Sequence, residues 1–136
     1  MKSLLLVDDE TTICVELQRT LEAFGYKIEL ANSFESALQW FSKSPFDATL
    51  VEFNLRSERR AHPRAGKGIE LVRQMRTLNV AVPILILTAM EGELYETVSF
   101  GAGADDFITK TGAFSSFISR LRAHIRRNER LTFADF

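Results

Sequence analysis

Short unbroken apolar runs alternate with amphipathic stretches along this chain. Leu4-Leu5-Leu6-Val7 is continuous and runs into Asp8-Asp9-Glu10, the pattern of a strand buried on both faces. Ile13, Leu17, Leu21 and Phe24 then recur at helical spacing and predict a helix with one stripe toward a core. Gly25 follows where a helix C-cap favours glycine. Lys27 to Ala31, with Ile28 and Leu30 alternating, predicts a second strand. Asn32-Ser33 offers an N-cap to a helix carrying Phe34, Ala37, Leu38 and Phe41, and Pro45 ends it. Asp47 to Phe53 holds the third strand, around Ala48-Thr49-Leu50-Val51. Gly68 opens a helix through Ile69, Val72, Met75 and Arg76. Pro83 to Thr88 is the strongest strand signal, Glu91 to Phe100 a weaker helix, and Phe107-Ile108-Thr109 a short strand. Phe114, Phe117, Ile118, Leu121 and Ile125 share one face of the last helix. Five strand–helix pairs in succession predict one α/β domain with a parallel sheet and helices on both faces.

Composition narrows the class. Of 136 residues, 46% are hydrophobic and 26% charged, so the chain can offset the entropy of folding and is not disordered. The single Cys14 cannot form an internal disulfide, and no His/Cys cluster has zinc spacing. The longest apolar stretch, Val80 to Met90, is too short to span a bilayer. Acidic residues follow the first apolar run too soon for a signal peptide. A reduced, cytoplasmic protein with no membrane partner is the expectation. The net charge of -1 gives no global field toward nucleic acid.

Ligands of open parallel sheets bind beyond the carboxyl ends of the strands. Here those ends carry Asp8 and Asp9, then Glu52, then Thr88, then Lys110. Carboxylates clustered this way stay ionised together only around a shared cation. Oxygen-only ligation suits Mg²⁺. An ammonium and a hydroxyl beside the metal would hold the oxygens of a phosphoryl group.

Those residues resemble the receiver (CheY-like) domain of two-component response regulators. The motifs are Leu-Val-Asp8-Asp9-Glu10, Leu-Val-Glu52-Phe-Asn54-Leu, Ile-Leu-Thr88-Ala89 and Gly103-Ala-Asp-Asp-Phe107-Ile-Thr-Lys110, in order, each at a strand end. The resemblance covers residues 3 to 127 and implies a flavodoxin-like (βα)5 doubly wound fold of order 2-1-3-4-5. It implies that Asp8, Asp9, Glu52 and the backbone carbonyl of Asn54 hold the metal. Glu52 takes the phosphoacceptor position, and Thr88 and Lys110 meet the phosphoryl group. Thr88 and Phe107 take the switch positions, although Phe107 reads equally well as core. A sensor histidine kinase is the implied partner in the phosphorelay, and the domain is a regulator, not an enzyme in its own right.

Three departures matter. The family has Asp where this chain has Glu52. The extra methylene displaces the carboxylate by roughly 1.3–1.5 Å, and misplacement of about 1 Å can cost on the order of 10²-fold in a reaction that depends on positioning. The expectation is therefore a pseudo-receiver: a phosphorylation-independent interaction domain controlling a DNA-binding output. The alternative is a working Mg²⁺-dependent phosphoacceptor. A Mg²⁺-dependent phosphohydrolase would need an Asp-x-Asp motif that Glu52-Phe53-Asn54 does not supply. The family's cis proline after the lysine is replaced by Thr111-Gly112, for which a trans bond is expected. A basic insert, Arg56 to Lys67, occupies the rim of the site and reads as a solvated face or as a contact for a phosphate, a nucleic acid backbone or an acidic partner.

Residues 128–136 after Arg126-Arg127 resemble the linker and first strand of an OmpR/PhoB-like output domain, through which alone DNA would be bound. Members of that subfamily dimerise through the fourth helix, fifth strand and fifth helix with cross-subunit charge pairs. Asp106 and Arg120 fit such a pair, whereas Glu96 and Ser116 stand where the subfamily has a basic and an acidic residue. Cys14 reads as a partly packed helix residue, and His62 and His124 as solvated.

Overall fold

The computed structural model describes residues 1–55 and 67–134. Its elements are β1 (Ser3–Val7), α1 (Thr11–Ala23), β2 (Lys27–Ala31), α2 (Phe34–Lys43), β3 (Ala48–Val51), α3 (Lys67–Leu78), β4 (Ile84–Thr88), α4 (Glu93–Ala102), β5 (Asp106–Thr109) and α5 (Phe114–Ala134). The five strands are all parallel, in the order β2-β1-β3-β4-β5. This is the flavodoxin-like (βα)5 sheet expected from the sequence. Leu6 lies beside Leu50, Leu50 beside Leu85, and Leu87 beside Ile108.

Strand side chains alternate between faces, and the sheet accordingly carries two cores. Leu5, Val7, Val51, Ile84, Ile86 and Phe107 pack with α2, α3 and α4. Leu4, Leu6, Leu50, Leu85, Leu87 and Ile108 pack with Leu21 of α1 and with Phe117, Ile118, Leu121 and Ile125 of α5. Ser33 caps α2: its side chain accepts from the Ser36 N–H while the Ser36 hydroxyl accepts from the Ser33 N–H.

Two expectations need correction. On α1, Ile13 and Phe24 do not face the core; they are 39% and 46% exposed. The buried face runs instead through Cys14 and Leu21, with Leu17 partly covered. Phe24 packs on the rim against Phe114 of α5, ring centroids 5.6 Å apart, with the Arg122 guanidinium over it. His124 is not solvated either: its side chain is only 16% exposed and lies against Asp106. Its spacing from Leu121 and Ile125 sets it on the flank of the buried stripe of α5. That helix also runs past residue 127, to Ala134. Arg56, Arg59, Arg60, His62 and Arg64 of the basic insert lie outside the described residues, while Lys67 starts α3 and its ammonium sits over the Phe34 ring. Among the described residues no helix is long and apolar enough to cross a membrane.

Candidate functional site at the carboxyl edge of the sheet

The ends of β1, β3 and β5 converge on one ammonium group. Lys110 Nζ donates to Asp8 Oδ2 at 2.7 Å and to Glu52 Oε1 at 2.9 Å. All three side chains are largely withdrawn from water, with 16%, 5% and 10% of Lys110, Asp8 and Glu52 exposed. The second oxygens are also engaged. Asp8 Oδ1 accepts from the Glu10 N–H at 3.0 Å, and Glu52 Oε2 from the Asn54 N–H at 3.1 Å. Each carboxylate is thereby fixed by the turn that follows its own strand. Burial alone would lower the Lys110 pKa, but the hydrogen bonds and charges of Asp8 and Glu52 outweigh it and hold the ammonium above its ordinary range.

The backbone explains why these side chains meet. Lys110 N–H donates to the Thr88 carbonyl at 2.8 Å, continuing the β4–β5 ladder beyond the strands. Glu52 N–H does the same to the Val7 carbonyl at 2.9 Å. The start of α3 presses on the turn after β3, where Gly68 N–H donates to the Phe53 carbonyl at 3.2 Å. A Cβ at position 68 would lie 2.1 Å from the Glu52 carbonyl oxygen, so glycine is needed there for close approach.

Asp8, Glu52 and Lys110 are thus brought together. Thr88 is fully buried beside them, and its hydroxyl accepts from the Met90 N–H at 3.2 Å. Asp9 is half-buried and Asn54 exposed. Phe107 is 5% exposed and points into the core shared with α4. No cis peptide bond occurs among the described residues, in keeping with the trans expectation before Thr111. Asp106 and Arg120 meet within one chain, Arg120 Nε 3.7 Å from Asp106 Oδ2, and His124 Nε2 lies 3.0 Å from the same oxygen.

Three contacts carried no clear signal in the sequence. Thr111 Oγ1 donates to Glu91 Oε1 at 2.9 Å, tying the loop after β5 to the loop after β4. Phe53, beside Glu52, meets Tyr95 of α4 edge-on at 5.1 Å. The Cys14 Sγ lies 3.4 Å from the Asp8 carbonyl, against the acidic turn. Burial and the neighbouring Asp8 charge push that thiol up to about 11, so it is a poor nucleophile at neutral pH.

The donor set suits Mg²⁺ in kind, being made of carboxylates and a backbone carbonyl. Among the described residues, however, no three His, Cys, Asp or Glu side chains gather about one point. The position between Asp8 and Glu52 belongs to the ammonium. A metal at this edge would share or displace the contacts that Lys110 makes.

A doubly wound five-stranded sheet that gathers two carboxylates and a lysine at its carboxyl edge defines a receiver-type α/β domain. The family model of the response regulator receiver domain matches residues 4–122, and the chain belongs to that family, the receiver module of two-component signalling. It is 33% identical over 126 residues to the response regulator MprA of Mycobacterium leprae, covering 93% of this chain and 52% of that protein. The chain spans about half the length of the curated relatives it matches. Among solved structures, it resembles the non-phosphorylated HemR receiver domain of Leptospira biflexa, with 26% identity, a TM-score of 0.77, and coverage of 92% and 94% of the two chains. A CheY-like receiver domain protein of Methanospirillum hungatei shares the fold, with a TM-score of 0.83 at 23% identity over 96% of this chain and 98% of that one.

Proposed function

We propose that this receiver is a phosphorylation-independent regulatory domain, in which the Glu52–Lys110–Asp8 cluster takes the place of the phosphorylation cycle. The observation that carries the reading is the 2.9 Å contact between Lys110 Nζ and Glu52 Oε1, made while the same ammonium holds Asp8 at 2.7 Å. Acyl-phosphate formation needs a carboxylate oxygen aimed at the donor phosphorus, to attack it and expel its leaving group. Here one Glu52 oxygen accepts from the ammonium and the other from the Asn54 N–H. The longer side chain of glutamate reaches Lys110 directly, as an acceptor's phosphoryl oxygen otherwise would. It does so with one negative charge, against roughly 1.5 to 2 for a phosphoryl group.

Where Mg²⁺ is present, Asp8, Asp9, Glu52 and the Asn54 carbonyl are the groups that would hold it, and it would offset their charge. The regulated output is a DNA-binding domain on the longer protein, and a sensor histidine kinase is the partner whose phosphoryl group this domain no longer needs. Homodimerisation through α4, β5 and α5 is not part of the proposal, because Arg120 and His124 of the same chain already engage Asp106.

The test is intact mass after incubation with Mg²⁺ and a small acyl-phosphate donor. The wild type is expected to gain nothing and Glu52→Asp to gain one phosphoryl group. A phosphoryl adduct on the wild type overturns the reading and makes the domain a working phosphoacceptor.

A further inference from the structure

The net charge of -1 conceals a strong asymmetry. Residues 114–130 of α5 carry five arginines against one glutamate. Glu129 is drawn away to Lys2 at the start of β1. Arg120, Arg122, Arg126, Arg127 and Arg130 are all exposed; Arg126, Arg127 and Arg130 lie on the side of the helix away from Phe117, Ile118, Leu121 and Ile125, while Arg120 and Arg122 flank that stripe, towards Asp106 and Phe24. Arg126, Arg127 and Arg130 form no ion pair among the described residues, and Arg122 has only the Phe24 ring. A helix C-terminus favours cations in its last turn, but that reaches neither Arg120 nor Arg122. Arg122, Arg126 and Arg130 recur every fourth residue, so their stems lie roughly 6 Å apart along the axis.

We propose that this face of α5 docks on the phosphate backbone of duplex nucleic acid, without reading its sequence. The chemistry between the arginines favours that occupant. The same face otherwise presents Ser115, Ser116, Ser119 and Ala123, and Arg and Ser are residue types that contact phosphate oxygens. Over residues 115–130 this face of α5 itself offers no aromatic or large aliphatic anchor; the Phe24 ring at its edge, 46% exposed, already carries the Arg122 guanidinium and packs on Phe114, whereas the centre of a protein–protein interface needs such an anchor. The exposed acidic helix of a second copy is a poorer fit. Alongside Glu93 and Glu96, α4 exposes Leu94 and Phe100, at 71% and 48%, and residues 115–130 of α5 offer only Ala123 on this face to cover them.

The test is fluorescence anisotropy of a labelled mixed-sequence duplex titrated with the whole chain over a series of salt concentrations. Each phosphate neutralised adds about -0.9 to the slope of log K against log salt. The triple variant Arg122→Ala/Arg126→Ala/Arg130→Ala leaves three phosphates without their cation and is expected to flatten that slope by about 2.7, whereas Arg126→Lys keeps it. Circular dichroism of the triple variant confirms that the helix persists. Absence of duplex binding at low salt overturns the proposal. So does a slope the triple variant leaves unchanged, which would place the phosphate-binding groups elsewhere on the chain. A dimer in sedimentation that the triple variant dissociates, without duplex binding, assigns the face to a second copy and likewise overturns it.

Discussion

At Lys110 burial and charge pull in opposite directions, and the two carboxylates win. Removing one member of a buried charge cluster leaves the others uncompensated, at a cost of about 3–5 kcal/mol. Lys110→Ala leaves Asp8 and Glu52 facing each other without a cation, so its unfolding free energy is expected to fall by that order, read as a lower urea midpoint. Mg²⁺ should then restore part of the loss in the variant and add little to the wild type, because only the variant has lost its resident cation. Cys14 gives a second handle at this scale. Its thiol titrates near 9.0 in the unfolded chain and near 11 in the folded one. Above pH 9 the unfolded state therefore binds fewer protons than the native state, and stability declines as pH rises. The thermal midpoint should lose its Cys14-dependent part between pH 9 and 11. Cys14→Ala should lack that part and keep the later loss, as Lys110 deprotonates above its ordinary range. An unchanged alkaline profile in Cys14→Ala would show that the thiol is not the titrating group.

At the scale of elements, the turn after β3 and the first turn of α3 behave as one unit. A methyl group at position 68 would need to sit 2.1 Å from the Glu52 carbonyl oxygen and 2.7 Å from that of Phe53. One of the two segments must move. Overpacking of this kind costs about 1–3 kcal/mol, and Gly68→Ala is expected to lower the urea midpoint accordingly. Because the displaced backbone belongs to Glu52, the same variant should also weaken the Lys110 contact, visible as a changed NMR shift of the Lys110 side chain. Gly68 is legible in the sequence as the start of a helix, but its close approach to Glu52 is not. The reason is general to this chain: apolar periodicity reports that a helix exists, while its phase on the sheet is set by packing. That is why Ile13 and Phe24 lie off the buried stripe through Cys14 and Leu21. His124 escapes a sequence reading because a polar side chain beside Leu121 and Ile125 can turn to a carboxylate, here Asp106, that lies far away in sequence. Asp8, Glu52 and Lys110 are legible because each ends a strand of a parallel sheet, and topology alone sends such ends to one edge.

Across the whole molecule, function and fastening sit at opposite ends of the sheet. The carboxyl edge holds the charge cluster. At the other edge, Arg76 of α3 joins several segments. Its Nε and one terminal nitrogen donate to the Gly103 carbonyl at 3.0 and 2.7 Å, and the other terminal nitrogen to the Val82 carbonyl at 2.7 Å. The nitrogen that reaches Gly103 also meets Asp105 Oδ2 at 2.7 Å, an oxygen that accepts from the Ile84 N–H at 2.8 Å. One planar guanidinium thus secures the end of α3, the entry to β4, the end of α4 and the entry to β5. Its side chain is 19% exposed, so the carbonyls it serves are poorly placed to find water instead. Lysine keeps the charge but cannot reproduce the fork of donors. With two or more partly buried hydrogen bonds removed at roughly 1 kcal/mol each, Arg76→Lys is expected to lower stability by about 2 kcal/mol. The urea slope should be unchanged, because the surface exposed on unfolding is the same. The fastening is remote from Lys110, so adding Arg76→Lys to Glu52→Asp should leave the phosphoryl labelling of that variant as it was. Loss of labelling in the double variant would show that the two edges of the sheet are coupled, and that the charge cluster depends on more than the strand ends that carry it.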